Sequence, residues 1–248
     1  MEERSQWGTR AGFIMAAIGS AVGLGNIWRF PAEAYGNGGG AFFVPYLLAL
    51  LTAGIPILIM EFTMGHKYRG AAPLTYRRMN KKAEGIGWWA VMVAFVIATY
   101  YSVIIAWAIS YTVFSFNLKW GDDPTTFLVA DYLEVADPGT FGGLVPGVAI
   151  PLVIVWAIVL FILFLGVKRG LEIANRIMIP TLVIVFLIIV FRAITLPGAL
   201  TGLDAFFKPD FSQILSGSVW VAAYGQIFFS LSIAFAIMIT YSSYLPKK

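Results

Sequence analysis

Six stretches of apolar residues, each roughly 20 long, recur near 11–35, 41–65, 88–118, 146–166, 171–193 and 217–245. A helix of about 20 residues crosses about 30 Å of hydrocarbon. Hydrocarbon offers no partner to backbone N–H and C=O groups, so these stretches are expected as helices. The short alternating segments of a barrel are absent from the sequence. Composition agrees, with 59% hydrophobic and 12% charged residues. Soluble domains carry about 45–50% and roughly 25%. That excess of apolar surface makes lipid the remaining solvent, and one transmembrane domain over 1–248 is expected. The first stretch does not read as a signal peptide. Its leader mixes Glu2, Glu3, Arg4 and Arg10, and it runs on through Asn26 and Arg29 without a small-residue cleavage site.

The charges sort by side. One set of connections holds Arg4, Arg10, Lys67, Arg69, Arg77, Arg78, Lys81, Lys82, Lys168, Arg169, Arg176, Lys247 and Lys248. The opposite set holds Arg29, Lys119, Arg192 and Lys208 among seven acids between Asp122 and Asp210. The positive-inside rule places the N-terminus, and the end of the sixth span, in the cytoplasm. The net charge of +4 is therefore topological and does not point to nucleic acid. The outer segments 119–145 and 196–216 read as loops with local structure, the second marked by Pro197-Gly198 and Pro209-Asp210.

The first span is anomalous at its middle, Gly19-Ser20-Ala21-Val22-Gly23-Leu24-Gly25-Asn26. Each glycine costs a helix about 1 kcal/mol relative to alanine. Two readings stand on this stretch alone. It unwinds and exposes carbonyls for a cation and N–H groups for an anion, which membranes tolerate only beside a protein cavity. Or Gly19-xxx-Gly23 is a small-xxx-small crossing. The sixth span, with Gln226, Ser230 and Ser232 at membrane depth, favours the first. Two interrupted segments in corresponding halves point to a transporter site.

Other intramembrane groups divide similarly. Glu61 reads better as an acceptor for backbone freed by the broken helix than as part of a proton path. Arg29 is a gate charge or a snorkelling side chain. Tyr100 and Tyr101 supply phenols at membrane depth, of use to a ligand only if one faces the break. His66 stands without a second metal ligand. Gly170 followed by Pro180 marks either a static kink or a stretch able to unwind. The glycines lack the Lys-Ser/Thr of a P-loop and the preceding strand of a dinucleotide fold. No cysteine, one histidine and no paired carboxylates leave an enzyme unsupported.

The run Trp7-Gly-Thr-Arg10-Ala-Gly12, then Gly19 through Gly25-Asn26-Ile-Trp28-Arg29-Phe30-Pro31, then Asn37-Gly-Gly-Gly40-Ala-Phe42, resembles the neurotransmitter:sodium symporter family. Gly54-Ile-Pro56, Glu61, Gly65 and Gly225-Gln226 through Tyr241 and Tyr244 continue it over the whole chain. The resemblance implies an all-α membrane protein. Its six transmembrane helices would be the first repeat, and the first helix of the second, of a five-plus-five inverted-repeat fold, with helices 1 and 6 broken. It implies Na+-coupled amino-acid symport in the bacterial plasma membrane. One sodium site would use Ala21, Asn26 and Ser230, a second Gly19 and Val22. The substrate would meet Ala21, Leu24, Gly25, Tyr101 and Ser230, with its side chain facing Ile97, Phe229, Ser232, Ala234 and Phe235. Arg29 and Phe229 resemble an outer gate, Arg4 and Trp7 an inner one. Gly23, where monoamine-transporting relatives carry Asp, leaves room for a ligand that brings its own carboxylate. Family members have eleven or twelve spans, so a truncated chain is expected. A half-size channel or self-assembling membrane scaffold is the alternative, though no ring of charge marks a pore helix.

Overall fold

The structure, a computed structural model, describes residues 6–23, 25–140 and 142–246. Among these residues every regular element is helical, and the one strand-type pairing is an isolated bridge between Gly39 and Pro209. The expected single domain packs as two compact units, 1–92 with 166–248, and 93–165.

In the first unit, α1 (Arg10–Ala21) starts at Thr9, whose hydroxyl accepts from the Gly12 N–H and caps the first turn. The N–H of Val22 closes the last turn onto the Ile18 carbonyl at 2.8 Å, and Val22 itself is extended. The chain resumes as a π-helical turn, Gly25–Arg29, which continues into α2 (Phe30–Gly36). The two halves of this first span are bent by 54°. Next come α3 (Phe43–Ala49) and α4 (Ile55–Tyr68), joined by a π-helical turn over Leu50–Gly54. The left-handed Arg69 ends α4, and α5 (Ala72–Met79) leads to α6 (Glu84–Phe114), whose first residues belong to this unit.

The second unit holds the rest of α6, a short α7 (Pro124–Thr126) with a π-helical turn to Tyr132, and α8 (Pro146–Phe164). The Asp123 carboxylate caps α7 by accepting from the N–H and hydroxyl of Thr126. Those bonds favour its ionised form and hold it below the usual carboxylate range. Tyr132 donates to Ser110 at 2.9 Å and pins the Phe127–Tyr132 turn to α6.

Back in the first unit, a π-helical turn, Val167–Leu171, carries Gly170 into α9 (Glu172–Ile194). Pro180 lies inside α9, which continues through it. The departure from α-geometry thus sits at Gly170, while Pro180 only deprives one carbonyl of its donor. Then α10 (Ala199–Phe207), α11 (Gly217–Leu231) and α12 (Ile237–Ser243) complete the chain.

Among the described residues four helices are long and apolar enough to cross a membrane, Gly40–Tyr68, Lys81–Phe114, Pro146–Phe164 and Val167–Ile194. The bent α1–α2 pair adds a fifth if its two halves are one span. The sixth expected span resolves into α11 and α12, of 15 and 7 residues. Between them Ser232 (φ 49°), Ala234 (φ 68°) and Ala236 (φ 61°) are left-handed, which no right-handed helix accommodates. Each such L-residue costs about 1 kcal/mol or more, and surrounding contacts hold them there. The Met64, Ala72, Ala90, Ala236 and Ile239 cluster binds α4 to the start of α12. Ala49, Ile227 and Ile233 form a second cluster at the end of α11. The most apolar windows of α8 and of the Val167–Ile194 span are only 6% and 0% buried. Such outward apolar side chains need a non-aqueous surrounding.

Candidate functional site

The two interrupted segments meet inside the first unit. The Ser232 hydroxyl donates to the Ser20 carbonyl at 2.8 Å, joining the second break to the last turn of α1. Gln226, fully buried on α11, donates to the Gly25 carbonyl at 3.3 Å and to the Ser230 hydroxyl at 3.0 Å. The Phe229 ring lies against Gly25 so closely that a Cβ there would overlap it. The Arg29 guanidinium sits 5.3 Å from the centroid of the same ring and pairs with Glu33 at 3.2 Å. Arg29 is thus engaged with an aromatic ring and a carboxylate.

Glu61 is 2% exposed, and its Oε1 accepts from the Ala234 N–H at 2.8 Å. The expected role of Glu61, accepting from backbone freed by a break, is met at the second break rather than the first. Glu61 Oε2 and Gln226 Oε1 are buried without a hydrogen-bond partner among the described residues.

Helix polarity organises the first break. Beyond the Val22 to Ile18 bond, the carbonyls of Gly19, Ala21 and Val22 lie in a terminal turn, where α1 supplies no further N–H. This negative end of α1 adjoins the positive end of the turn beginning at Gly25. The Asn26 N–H bonds back to the Gly23 carbonyl at 3.1 Å and leaves the side-chain amide for other use. Gly19 also serves the close-crossing reading, since a Cβ on it would meet Asn175 and Ile179 of α9. The crossing and the break are adjacent, not alternatives.

Of the other expected site residues, Ser230 is 3% exposed, Phe235 is half-buried and Ala234 is exposed beside its bond to Glu61. Ile97 and Tyr101 lie on α6 in the second unit. Leu24 and Arg4 lie outside the described residues. Among the described residues no group of three or more His, Cys, Asp or Glu could hold a metal ion. Any cation here would rest on carbonyl, amide and hydroxyl oxygens, a donor set suited to a hard ion.

The N-terminal segment is tied at the other end of α1. Trp7, buried, donates through Nε1 to the Tyr241 carbonyl at 2.8 Å and through its N–H to the Tyr244 carbonyl at 3.2 Å. Glu172 holds the next two residues, accepting from the Gly8 N–H at 2.7 Å and the Thr9 hydroxyl at 2.6 Å. Arg176 closes the cluster on Thr9 at 2.9 Å. Sequence reasoning passed over Glu172; the available signal was one acid among Lys168, Arg169 and Arg176 at the start of a span. Glu172→Ala is expected to raise amide hydrogen exchange at residues 8–12 at least tenfold. Arg176→Ala, which spares both carboxylate bonds, is expected to change it less than threefold. Hydrogen-exchange mass spectrometry of the purified chain reads both, and unchanged protection in Glu172→Ala would show that the carboxylate holds nothing.

Two interrupted helical segments bonded to one another, in a chain of long apolar helices, are the arrangement of a secondary membrane transporter. The sodium:neurotransmitter symporter family profile matches residues 4–138 and 140–248. An uncharacterised sodium-dependent transporter of Methanocaldococcus jannaschii is 47% identical over 247 residues, covering 99% of this chain and 50% of that protein. The human sodium- and chloride-dependent GABA transporter 2 is 32% identical over 98% of this chain and 45% of its own length. The crystal structure of MhsT in complex with L-phenylalanine superposes with a TM-score of 0.82 at 34% identity, covering 99% of this chain and 55% of that one. The chain belongs to the sodium:neurotransmitter symporter family, whose members are integral membrane transporters, not enzymes. It spans about half the length of the curated relatives it matches.

Proposed function

We propose that this chain carries the ion- and substrate-binding half of a sodium-coupled amino-acid symporter that works by alternating access, with hydrophobic amino acids as cargo. The observation that supports it most is the contact of the two breaks, Ser232 on the Ser20 carbonyl and Phe229 on Gly25. The complete transport cycle is proposed for a protein of the relatives' full length; ligand binding is the step assigned to this chain.

The carbonyls of Gly19, Ala21 and Val22, the Asn26 amide oxygen and the Ser230 hydroxyl are assigned to Na+. None of them carries a formal charge, so a bound substrate carboxylate supplies the neutralising charge and couples ion to cargo. The N–H groups of Leu24 and Gly25 and the Tyr101 hydroxyl are assigned to that carboxylate, Gly25 opening the turn whose positive end favours an anion. Ile97, Phe229, Ser232, Ala234 and Phe235 are assigned to the substrate side chain. The L-phenylalanine in the MhsT complex supports this substrate class. Arg29 over Phe229 is the outer gate, and Trp7 with Arg4 the inner one. Six spans of an inverted-repeat fold, with the N-terminus in the cytoplasm of a prokaryotic plasma membrane, complete the reading.

The test is binding of tritiated L-phenylalanine and L-leucine in NaCl and in KCl. It uses the purified chain, alone and co-expressed with the C-terminal half of the Methanocaldococcus relative. Retention is expected in sodium, and Asn26→Ala is expected to weaken it at least tenfold. Equal retention in KCl, or no binding in either preparation, would overturn the assignment.

A further inference from the structure

The end of the first unit where α4 finishes and α6 begins carries a charge arrangement that the transport site does not use. Residues 62–83 hold six Lys or Arg, one His and no acid. Two of the six are engaged internally. Arg78 donates to the carbonyls of Tyr68 and Arg69, the latter at 2.9 Å, and Arg69 donates to the Leu245 carbonyl. These are the terminal carbonyls of α4 and the carbonyl just past α12, where cations satisfy both the hydrogen bonds and the helix dipole.

The same bonds fix α5 in place. Its Ala72, Pro73 and Thr75 face inward and are buried, while Leu74, Arg78 and Met79 are exposed. Gly87 on α6 approaches so closely that a Cβ there would lie 2.5 Å from the Pro73 Cα. The short helix is therefore stapled between the end of α4 and the start of α6. Lys67, Arg77, Lys81 and Lys82 remain exposed on this frame. Glu84 faces Arg77 at 3.7 Å and, among the described residues, is the one acid paired within the group. Immediately beyond stand Ile86, Trp88 and Trp89, the two indoles 60% and 68% exposed at the start of a span.

Positive-inside bias accounts for basic residues at such an end, but not for their being held on a rigid platform beside outward indoles. Indoles settle at the headgroup level, with the ring among the acyl carbonyls and the N–H toward water. Ammonium groups beside them meet headgroup phosphates. A nucleic acid or an acidic protein would answer the cations but leave Leu74, Met79, Ile86 and the two indoles unmatched. An amphiphile answers both. We propose that α5 and the Lys81–Trp89 segment form a binding surface for the phosphodiester headgroup of an anionic glycerophospholipid. Lys81, Lys82 and Arg77 meet the phosphate, and Trp88 and Trp89 meet the acyl end. This assignment stands independently of the transport reading, since it uses none of the residues at the breaks.

Native mass spectrometry of the purified chain in detergent tests it. Phosphatidylglycerol and phosphatidylcholine with identical acyl chains are titrated onto the parent, Lys81→Gln/Lys82→Gln and, as a charge-matched control, Lys119→Gln/Lys208→Gln. The parent is expected to prefer phosphatidylglycerol. A basic residue near an anionic headgroup contributes about fivefold in affinity, so Lys81→Gln/Lys82→Gln is expected to lose at least tenfold for phosphatidylglycerol and little for phosphatidylcholine. The control is expected to change less than twofold. Equal affinity for the two lipids, or equal losses in the two double variants, would overturn the proposal. Displacement of phosphatidylglycerol by millimolar inorganic phosphate would mark a plain anion site and overturn it equally.

Discussion

Glu61→Ala is expected to lower the unfolding midpoint of the purified chain by about 6–12 °C. Glu61 is among the largest fully buried side chains of the first unit, and its Oε1 is the acceptor for the Ala234 N–H. Truncation removes a buried hydrogen bond, leaves that donor without its partner and opens a cavity. Together these are worth about 3 kcal/mol, and a chain of this size loses about 2–4 °C per kcal/mol. Glu61→Gln keeps one carbonyl oxygen in the acceptor position and nearly the same volume. Its amide nitrogen takes the place of an oxygen that has no partner. The glutamine variant is therefore expected to show less than half the loss. Thermal unfolding followed by tryptophan fluorescence decides the matter. Equal midpoints for parent and Glu61→Ala would mean that the left-handed segment holds its shape unaided.

Gly25→Ala is expected to weaken sodium-dependent phenylalanine binding about 30-fold. A methyl group at Gly25 occupies the space of the Phe229 ring, so the ring must leave its position under Arg29. Overpacking of this kind costs about 2 kcal/mol, which corresponds to about a 30-fold change in affinity. The control is a double-mutant cycle. Phe229→Ala weakens binding by itself, but in that background Gly25→Ala has no ring to displace and should add little. Losses that simply add would show that the two positions act independently. The contact between the breaks would then lose its claim to shape the site.

Much of this arrangement is visible in the residues before any coordinates, for reasons that differ from site to site. Spans are legible because hydrocarbon thickness sets a length and apolar composition fills it. The first break is legible because Gly19, Gly23 and Gly25 cluster where a helix needs none of them. The second break was inferable from Ser230 and Ser232 beside Gln226. Its chirality was not, because alanines at 234 and 236 give no local reason to be left-handed. Pairings across the chain were also hidden. Glu61 announced itself as a buried acid, yet its partner lies 173 residues away. Phe229 against Gly25 is similarly a product of packing, not of pattern. Glu172 was overlooked because an acid near the end of a span among basic residues looks solvated, whereas it is 3% exposed and fully occupied by the N-terminal segment. The divided packing of the chain, with Ile97 and Tyr101 in the second unit, had no counterpart in the hydropathy, which runs evenly through α6.

The alternation of left-handed residues at 232, 234 and 236 has a mechanical consequence. An unbroken helix transmits twist, so turning one end about the axis turns the other. Here each left-handed residue interrupts that transmission, and restoring it would require three residues to change sign in φ together. α11, with Phe229 and Ser230, and α12, whose Tyr241 carbonyl holds Trp7, are therefore geared separately. Coupling between the two halves therefore rests on their neighbours, the Glu61 bond to Ala234 and the clusters around Ala236 and Ile233, more than on the chain itself. The packing of neighbouring helices thus sets how stiffly α11 and α12 move together.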